Sequence, residues 1–234
     1  MEIQKDYLDL KQWLEETRDE PLEAMDAFFD RRIESYEEHM SPWKKHYEWL
    51  AGLIPPSART LLDIGCGTGL ELDSIYEKIP QLQVTGIDLS TEMLAMLRQK
   101  HPDKSLTLIQ GDYFLHDFGQ NRFDVAVSVE TLHHFAAEKK EEVFRNLFRS
   151  LVPGGMYLEC DYIAVSQEIE DLVFAECDRR RRRDKVAPNT FVHFDTPLTV
   201  EHEVQAIKRA GFSSVMPLGF LSGDSHTVMI RAIK

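Results

Sequence analysis

Cysteine is scarce in this chain. Cys66, Cys160 and Cys177 are odd in number and far apart, with no CxxC among them. That argues against a disulfide framework or a thiolate zinc site and points to a reducing, cytoplasmic compartment. No apolar run approaches the roughly 20 residues of a membrane span. The opening MEIQKDYLDLKQ lacks the basic start and apolar stretch of a secretory signal. Positive charge is also short: 27 Lys and Arg face 40 Asp and Glu, a net charge of -13. Such a balance works against general capture of nucleic acid or anionic membrane. What is present is a 234-residue chain, 43% hydrophobic and 10% aromatic. It is too apolar for disorder and able to bury roughly 70% of its unfolded surface, so a soluble globular domain is expected.

Ile3, Tyr7, Leu10 and Leu14 recur at helical spacing and predict an amphipathic helix over 3–18. Further helices are predicted over 25–39 and, after Ser41-Pro42, over 43–53, before Pro55-Pro56 ends the region. Strands and helices then alternate. Strands are expected at 60–64, 82–87, 106–109, 123–129 and 156–162, the last after a Pro153-Gly154-Gly155 turn. Helices are expected at 69–79, 90–100 and 137–151, the second capped by Ser90. This rhythm implies a buried parallel sheet with right-handed crossovers. Beyond it lie a helix over 167–185, an irregular connection over 187–197, a helix over 199–210 closed by Gly211, and two strands at 212–218 and 226–233 suited to antiparallel pairing.

Three stretches carry chemistry. In LLDIGCGTGLEL, residues 61–72, an apolar strand runs into Gly65, Gly67 and Gly69 and then a helix. Glycines there let the chain turn tightly and let a ligand approach the backbone. The spacing is G-x-G-x-G, unlike the G-x-G-x-x-G of dinucleotide folds, and Asp63 precedes it. A carboxylate at that mouth repels a pyrophosphate and attracts a sulfonium or ammonium. In VTGIDLS, residues 84–90, Asp88 ends the next strand at the remove from the glycines where a carboxylate accepts ribose hydroxyls; the alternative is that it caps the following helix. In QGDYF, residues 110–114, Asp112 is placed to accept from an adenine amino group beside Tyr113 or Phe114; taken alone it is also compatible with an ordinary turn.

In this order the three resemble the motifs of the class I S-adenosylmethionine-dependent methyltransferases, over about residues 60–163. FDVAVSVETLHHF is similar to the family's fourth strand and LVPGGMYL to the helix-turn-strand after it. The resemblance implies an α/β, Rossmann-like fold: a seven-stranded, mostly parallel sheet with an antiparallel last strand, plus N-terminal helices. It divides the chain into a helical cap at 1–56 and a catalytic domain at 57–234, with a substrate-side lid at 164–198. It places Gly65, Cys66 and Gly67 at the methionine moiety, Asp88 on the ribose, Asp112 and Tyr113 at the adenine, Glu130 beside the pocket, and Asp63, Leu89 and Met93 among the cofactor-binding residues. FDRRIESYEEHM, residues 29–40, is similar to a segment that covers the cofactor, so Arg32 and Tyr36 are expected to reach it; the alternative is an amphipathic helix packed on the sheet.

Methyl transfer needs alignment and, for a hydroxyl or ammonium acceptor, removal of a proton. His133 and His134, just past the fourth strand, stand at the carboxyl ends of the strands and are the candidate bases; a helix-start histidine bonded to backbone is the alternative. They are not an HxxxH pair and no acids cluster with them in sequence, so no metal is expected. The run from Arg179 to Arg183 spans a full helical turn at about 100° per residue. Not all five fit one solvated face, which admits an anionic substrate group or an acidic partner. The function expected is transfer of a methyl group to O or N of a small, anionic or neutral molecule by a monomer or homodimer without membrane contact. A tRNA-modifying transferase (methyl or carboxymethyl) and a non-catalytic S-adenosylmethionine-binding protein are the alternatives.

Overall fold

Described in a computed structural model are residues 2–187 and 190–234. Helix α1 (Glu2–Glu16) sets Leu10 and Leu14 against Val173 and Phe194. A two-residue strand β1 (Glu23–Ala24) leads into α2 (Met25–Asp30) and α3 (Ile33–His39), where the periodicity predicts one helix. The break falls at Arg31 and Arg32, whose guanidinium groups both reach back to Glu23. A 3-10 turn at Ser41–Trp43 then starts α4 (Lys44–Leu53). Leu50, Ala51 and Ile54 of this region join the core beneath the sheet with Ile75 and Val84, so α4 belongs to the sheet's helical layer.

The alternation that follows is β2 (Thr60–Ile64), α5 (Leu70–Lys78), β3 (Gln83–Asp88), α6 (Thr91–Lys100), β4 (Leu106–Gln110), β5 (Phe123–Val129), α7 (Ala137–Ser150) and β6 (Leu151–Tyr162). Ser90 caps α6 by accepting from the Met93 amide, as expected. Strand β6 runs straight through Pro153-Gly154-Gly155, where a turn is predicted. Leu151 still pairs with Phe123, and a register shift between Phe123 and Val125 takes up the extra residues.

After β6 come α8 (Gln167–Asp184), β7 (Val192–His193), α9 (Val200–Arg209), β8 (Ser214–Gly219) and β9 (Thr227–Ile233). The predicted irregular connection at 187–197 includes 188 and 189, which lie outside the described residues. Its later part holds β7, which pairs antiparallel with β1 (Glu23 opposite His193, Ala24 opposite Val192). The main sheet has the order β4-β3-β2-β5-β6-β9-β8, and β9 runs antiparallel to both its neighbours. The strand order reverses between β2 and β5, and ligands bind open α/β sheets at the carboxyl ends of strands at such a switch point. Among the described residues no helix is long and apolar enough to cross a membrane.

Candidate functional site

At the end of β2 the chain turns through Gly65, whose φ of 67° is left-handed; a Cβ there would lie 2.2 Å from Thr131 Oγ1. Gly67 (φ 46°) faces the cleft beside the Tyr36 hydroxyl. The loop is pinned from the neighbouring strand: the Gly65 and Cys66 amides donate to the Ile87 carbonyl at 2.8 and 3.2 Å. The Gly67 amide donates to Asp88 Oδ2 at 2.9 Å, and the Ser90 amide to Asp88 Oδ1 at 2.8 Å. Burial pushes the Asp88 pKa up and these amides pull against it. The cap of the following helix is Ser90 and not Asp88, and the two amide bonds leave Asp88 further acceptor capacity, since a carboxylate has about four acceptor sites.

Of the predicted cofactor residues, Tyr36, Gly65, Gly67, Asp88, Leu89 and Met93 line one cleft, and Asp112, Tyr113 and Glu130 line it as well. Asp112 Oδ1 accepts from the Phe114 amide at 2.8 Å, and the Tyr113 hydroxyl donates to the Thr131 carbonyl at 3.3 Å. Glu130 sits in a left-handed conformation (φ 47°) that only glycine takes without cost, and its Oε1 is buried without a hydrogen-bond partner among the described residues. Burial, with Asp161 adding to it, pushes the Glu130 pKa up to about 8. Four carboxyls, Asp26, Asp88, Asp112 and Glu130, face this cleft, with no Lys, Arg or His among its described lining residues. A ligand carrying positive charge and no phosphate fits those walls.

Three predicted residues stand apart from this lining. Asp63 is buried beneath the loop against Glu71; burial raises the pKa of both carboxyls, and Glu71 raises that of Asp63 further. Cys66 turns its thiol down toward Gly86, where a Cβ would come within 2.8 Å of Sγ. Arg32 lies over the Phe28 ring at 3.7 Å and belongs to a neighbouring cavity.

That second cavity, of about 580 Å³, shares Phe29, Tyr36 and Glu130 with the cleft. Its volume is that of a small-molecule site. Trp43 and Tyr162 supply aromatic wall, and both candidate bases, His133 and His134, face it. His133 Nδ1 donates to Asp161 Oδ1 at 2.5 Å; Asp161 in turn accepts from the Leu132 and Tyr162 amides at 2.8 and 2.9 Å. Burial alone would lower the His133 pKa, but Asp161 outweighs it and raises it to about 9. The Asp161 bond assigns the His133 tautomer and frees Nε2. His134 Nδ1 lies 3.4 Å from the Phe194 carbonyl, and burial lowers its pKa. Sequence reasoning missed Asp161, Asp195 and His193. Asp161 lies at the end of β6, 28 positions from its partner, and no local pattern distinguishes it from Glu159 on the same strand.

The arginine run faces the N-terminal helix. Arg179 and Arg183 donate to the Arg18 carbonyl, Arg183 also to that of Glu20, and Arg180 to Thr17 Oγ1 at 2.9 Å. Arg179 and Arg180 also pair with Glu176, and Arg183 with Asp184. Arg181 donates to the Ala187 and Thr190 carbonyls. Arg180 is buried in its pair with Glu176, and the acceptors described for this run belong to the protein itself.

Residues 61–155 match the family model described as "Methyltransferase domain". Over 140 residues the chain is 31% identical to the cypemycin N-terminal methyltransferase of a Streptomyces species, 57% of this chain and 56% of that one. Over 157 residues it is 26% identical to the phosphoethanolamine N-methyltransferase of Plasmodium falciparum, 67% and 54% of the two. The matches thus span about half the length of these relatives. The fold is similar to an S-adenosylmethionine-dependent methyltransferase of Mesorhizobium loti, with a TM-score of 0.59 at 24% identity over 80% of this chain and 98% of that one. It is likewise similar to human N-acetylserotonin methyltransferase in complex with SAM, with a TM-score of 0.62 at 16% identity over 86% and 54%. Motif order, strand order and these likenesses agree: residues 61–155 are a methyltransferase domain, and the fold around them is similar to that of the class I S-adenosylmethionine-dependent methyltransferases.

Proposed function

We propose that this protein transfers a methyl group from S-adenosylmethionine to an oxygen or nitrogen of a small molecule held in the second cavity. The observation that carries the reading is the junction of an acid-lined cleft with an aromatic cavity at Phe29, Tyr36 and Glu130. The cofactor, when bound, supplies a methyl group already activated on a sulfonium. Asp88 accepts from its ribose, Leu89 and Met93 flank it, Asp112 and Tyr113 stand at the adenine, and the Gly65–Gly67 turn and Glu130 face the methionine end. His133 removes the acceptor's proton through Nε2 in its neutral form, which the Asp161 bond orients and which the raised pKa of about 9 makes dominant only at alkaline pH. Helices α1 to α3, with the 164–198 segment, form the lid of this site, tied together by the β1–β7 pair and the arginine contacts.

The acceptor we favour is neutral and aromatic or amine-bearing. Arg32, the one arginine among the described lining residues of the cavity, is paired with Glu23, and Arg179, Arg180, Arg181 and Arg183 of α8 bond to protein acceptors. Radiolabelled methyl transfer to a panel of phenols, amines and carboxylates tests this. Phenols or amines are expected to be labelled, and labelling of carboxylates alone overturns it. Labelling of tRNA and of no small molecule would instead favour the nucleotide-modifying alternative.

A further inference from the structure

Four of the chain's nine histidines, His39, His133, His134 and His193, line the second cavity, with Asp195 among them. Proton removal uses one of the four. A ligand atom from each of His133, His134 and Asp195 lies within 4.8 Å of the other two. Asp195 Oδ1 is 3.6 Å from His133 Nε2 and 3.2 Å from His134 Nδ1. The first distance is too long for a hydrogen bond. A tetrahedral zinc ion with bonds of about 2.0–2.1 Å separates its ligand atoms by about 3.4 Å, and the two observed distances bracket that value.

The surroundings suit a metal better than a lone base. Asp161 accepts from His133 Nδ1 and is itself held by two backbone amides, which turns Nε2 toward Asp195; an ion bound there displaces the Nε2 proton. A carboxylate bonded to the far nitrogen of a ligating imidazole is the usual support of such a ligand. A second grouping, Glu130 with His133 and Asp161, is also close enough to be considered. It would need the Nδ1 atom already committed to Asp161 at 2.5 Å, which is closer than two ligands of one ion stand. Two imidazoles and one carboxylate favour zinc-like ions over magnesium or calcium, and three protein ligands facing a cavity leave a position for a reacting group.

We propose that His133, His134 and Asp195 bind one zinc-class divalent ion on the wall of the acceptor cavity, its fourth position taking the acceptor's oxygen or nitrogen. Ion binding stands by itself; the ion's role in the reaction rests on the methyl-transfer reading. In that role the ion lowers the acceptor's proton affinity, so that the metal-bound protein has no need of His133 as a base, the part it plays in the metal-free protein. The proton displaced on binding leaves to water. The acceptor's lone pair forms the new bond to the methyl carbon as the carbon–sulfur bond breaks, its electron pair remaining on sulfur. Asp195 follows β7 by two residues, and the Thr196 amide, which donates to the His133 carbonyl at 2.8 Å, holds this stretch beside the histidines. Ligand spacing in sequence does not register this arrangement, because the third ligand lies about sixty positions beyond the histidine pair.

The test is titration of untagged, chelator-treated full-length protein with Co²⁺. One equivalent is expected to bind with the intense visible bands of a four-coordinate cobalt site and to be displaced by Zn²⁺. Asp195→Asn and His134→Gln are expected to weaken Co²⁺ binding at least about 100-fold while S-adenosylmethionine affinity stays unchanged, and Glu130→Gln to leave Co²⁺ binding intact whatever it does to the cofactor. Absence of saturable Co²⁺ binding by the wild-type protein overturns the site, as does unchanged affinity in both ligand variants or loss of binding only in Glu130→Gln. Co²⁺ failure with intact S-adenosylmethionine binding removes the metal and leaves the methyltransferase reading. Co²⁺ binding without S-adenosylmethionine binding does the reverse.

Discussion

His133 and Asp161 show what one hydrogen bond does for a site. A buried imidazole left to itself is held neutral with either tautomer open. With Asp161 bonded to Nδ1, the ring has one tautomer and presents Nε2 to the cavity. Asp161→Asn is therefore expected to lower kcat by about 10²–10⁴, the range for losing a positioned proton acceptor. Cofactor affinity should stay within about twofold by calorimetry. A Kd that rises in step with the fall in kcat would mean that Asp161 only holds the fold. Gly65 makes the matching point for the backbone. Gly65→Ala puts a methyl group against Thr131 in a left-handed conformation, and loss of cofactor binding with retained secondary structure by circular dichroism is expected; unchanged binding would contradict the assignment. At this scale the glycines, Asp88 and the histidine pair are legible in sequence, because their chemistry is bound to local spacing. Asp161 and Asp195 are not, because the fold brings them from 28 and about sixty positions away.

At the scale of elements, hydrogen bonds from the α8 arginines to the Leu14 and Arg18 carbonyls and Thr17 Oγ1 dock α1 on α8, and Glu176 of the same helix holds Arg179 and Arg180 in position for them. The Arg179 guanidinium beside Glu176, with Arg180 adding to it, holds the Glu176 pKa down to about 2 against the raising effect of burial. A lowered folded pKa contributes stability that is fully present above the ordinary value of 4.5 and is lost as pH falls through about 2. Hydrogen exchange of α1 amides is therefore expected to speed up relative to the core between pH 4.5 and 2. Glu176→Gln should flatten that trend, and an unaltered trend would remove Glu176 from the docking. Between α7 and α9 the buried Lys140 meets Glu203 at 2.5 Å, with Glu159 close by. Lys140→Met leaves two buried carboxyls without their cation and should cost about 3–5 kcal/mol by denaturant unfolding; a loss under about 1 kcal/mol would contradict the pair's role. The elements themselves read well where periodicity governs them, as at β2 and β5. The break at Arg31 and Arg32 and the β1–β7 pair escaped because both depend on contacts beyond the local chain: Glu23 for the first, a second strand for the other.

Over the whole molecule, the excess of negative charge lies in residues 1–164, while residues 165–234 hold ten acidic and ten basic groups. The acidic part includes the cleft whose described walls carry four carboxyls and no base. The basic groups concentrated in α8 are spent on lid docking. Charge distribution and fold thus point to the same ligand, a nucleoside that brings a sulfonium and no phosphate. Calorimetric titration of the wild-type protein and Asp88→Ala with S-adenosylmethionine, and of the wild-type protein with NAD, tests this most directly. One equivalent of S-adenosylmethionine is expected to bind the wild-type protein, about tenfold or more weaker binding is expected in Asp88→Ala from loss of the ribose acceptor, and NAD should give no saturable heat. NAD binding without S-adenosylmethionine binding, or equal S-adenosylmethionine affinity in both proteins, would contradict the account.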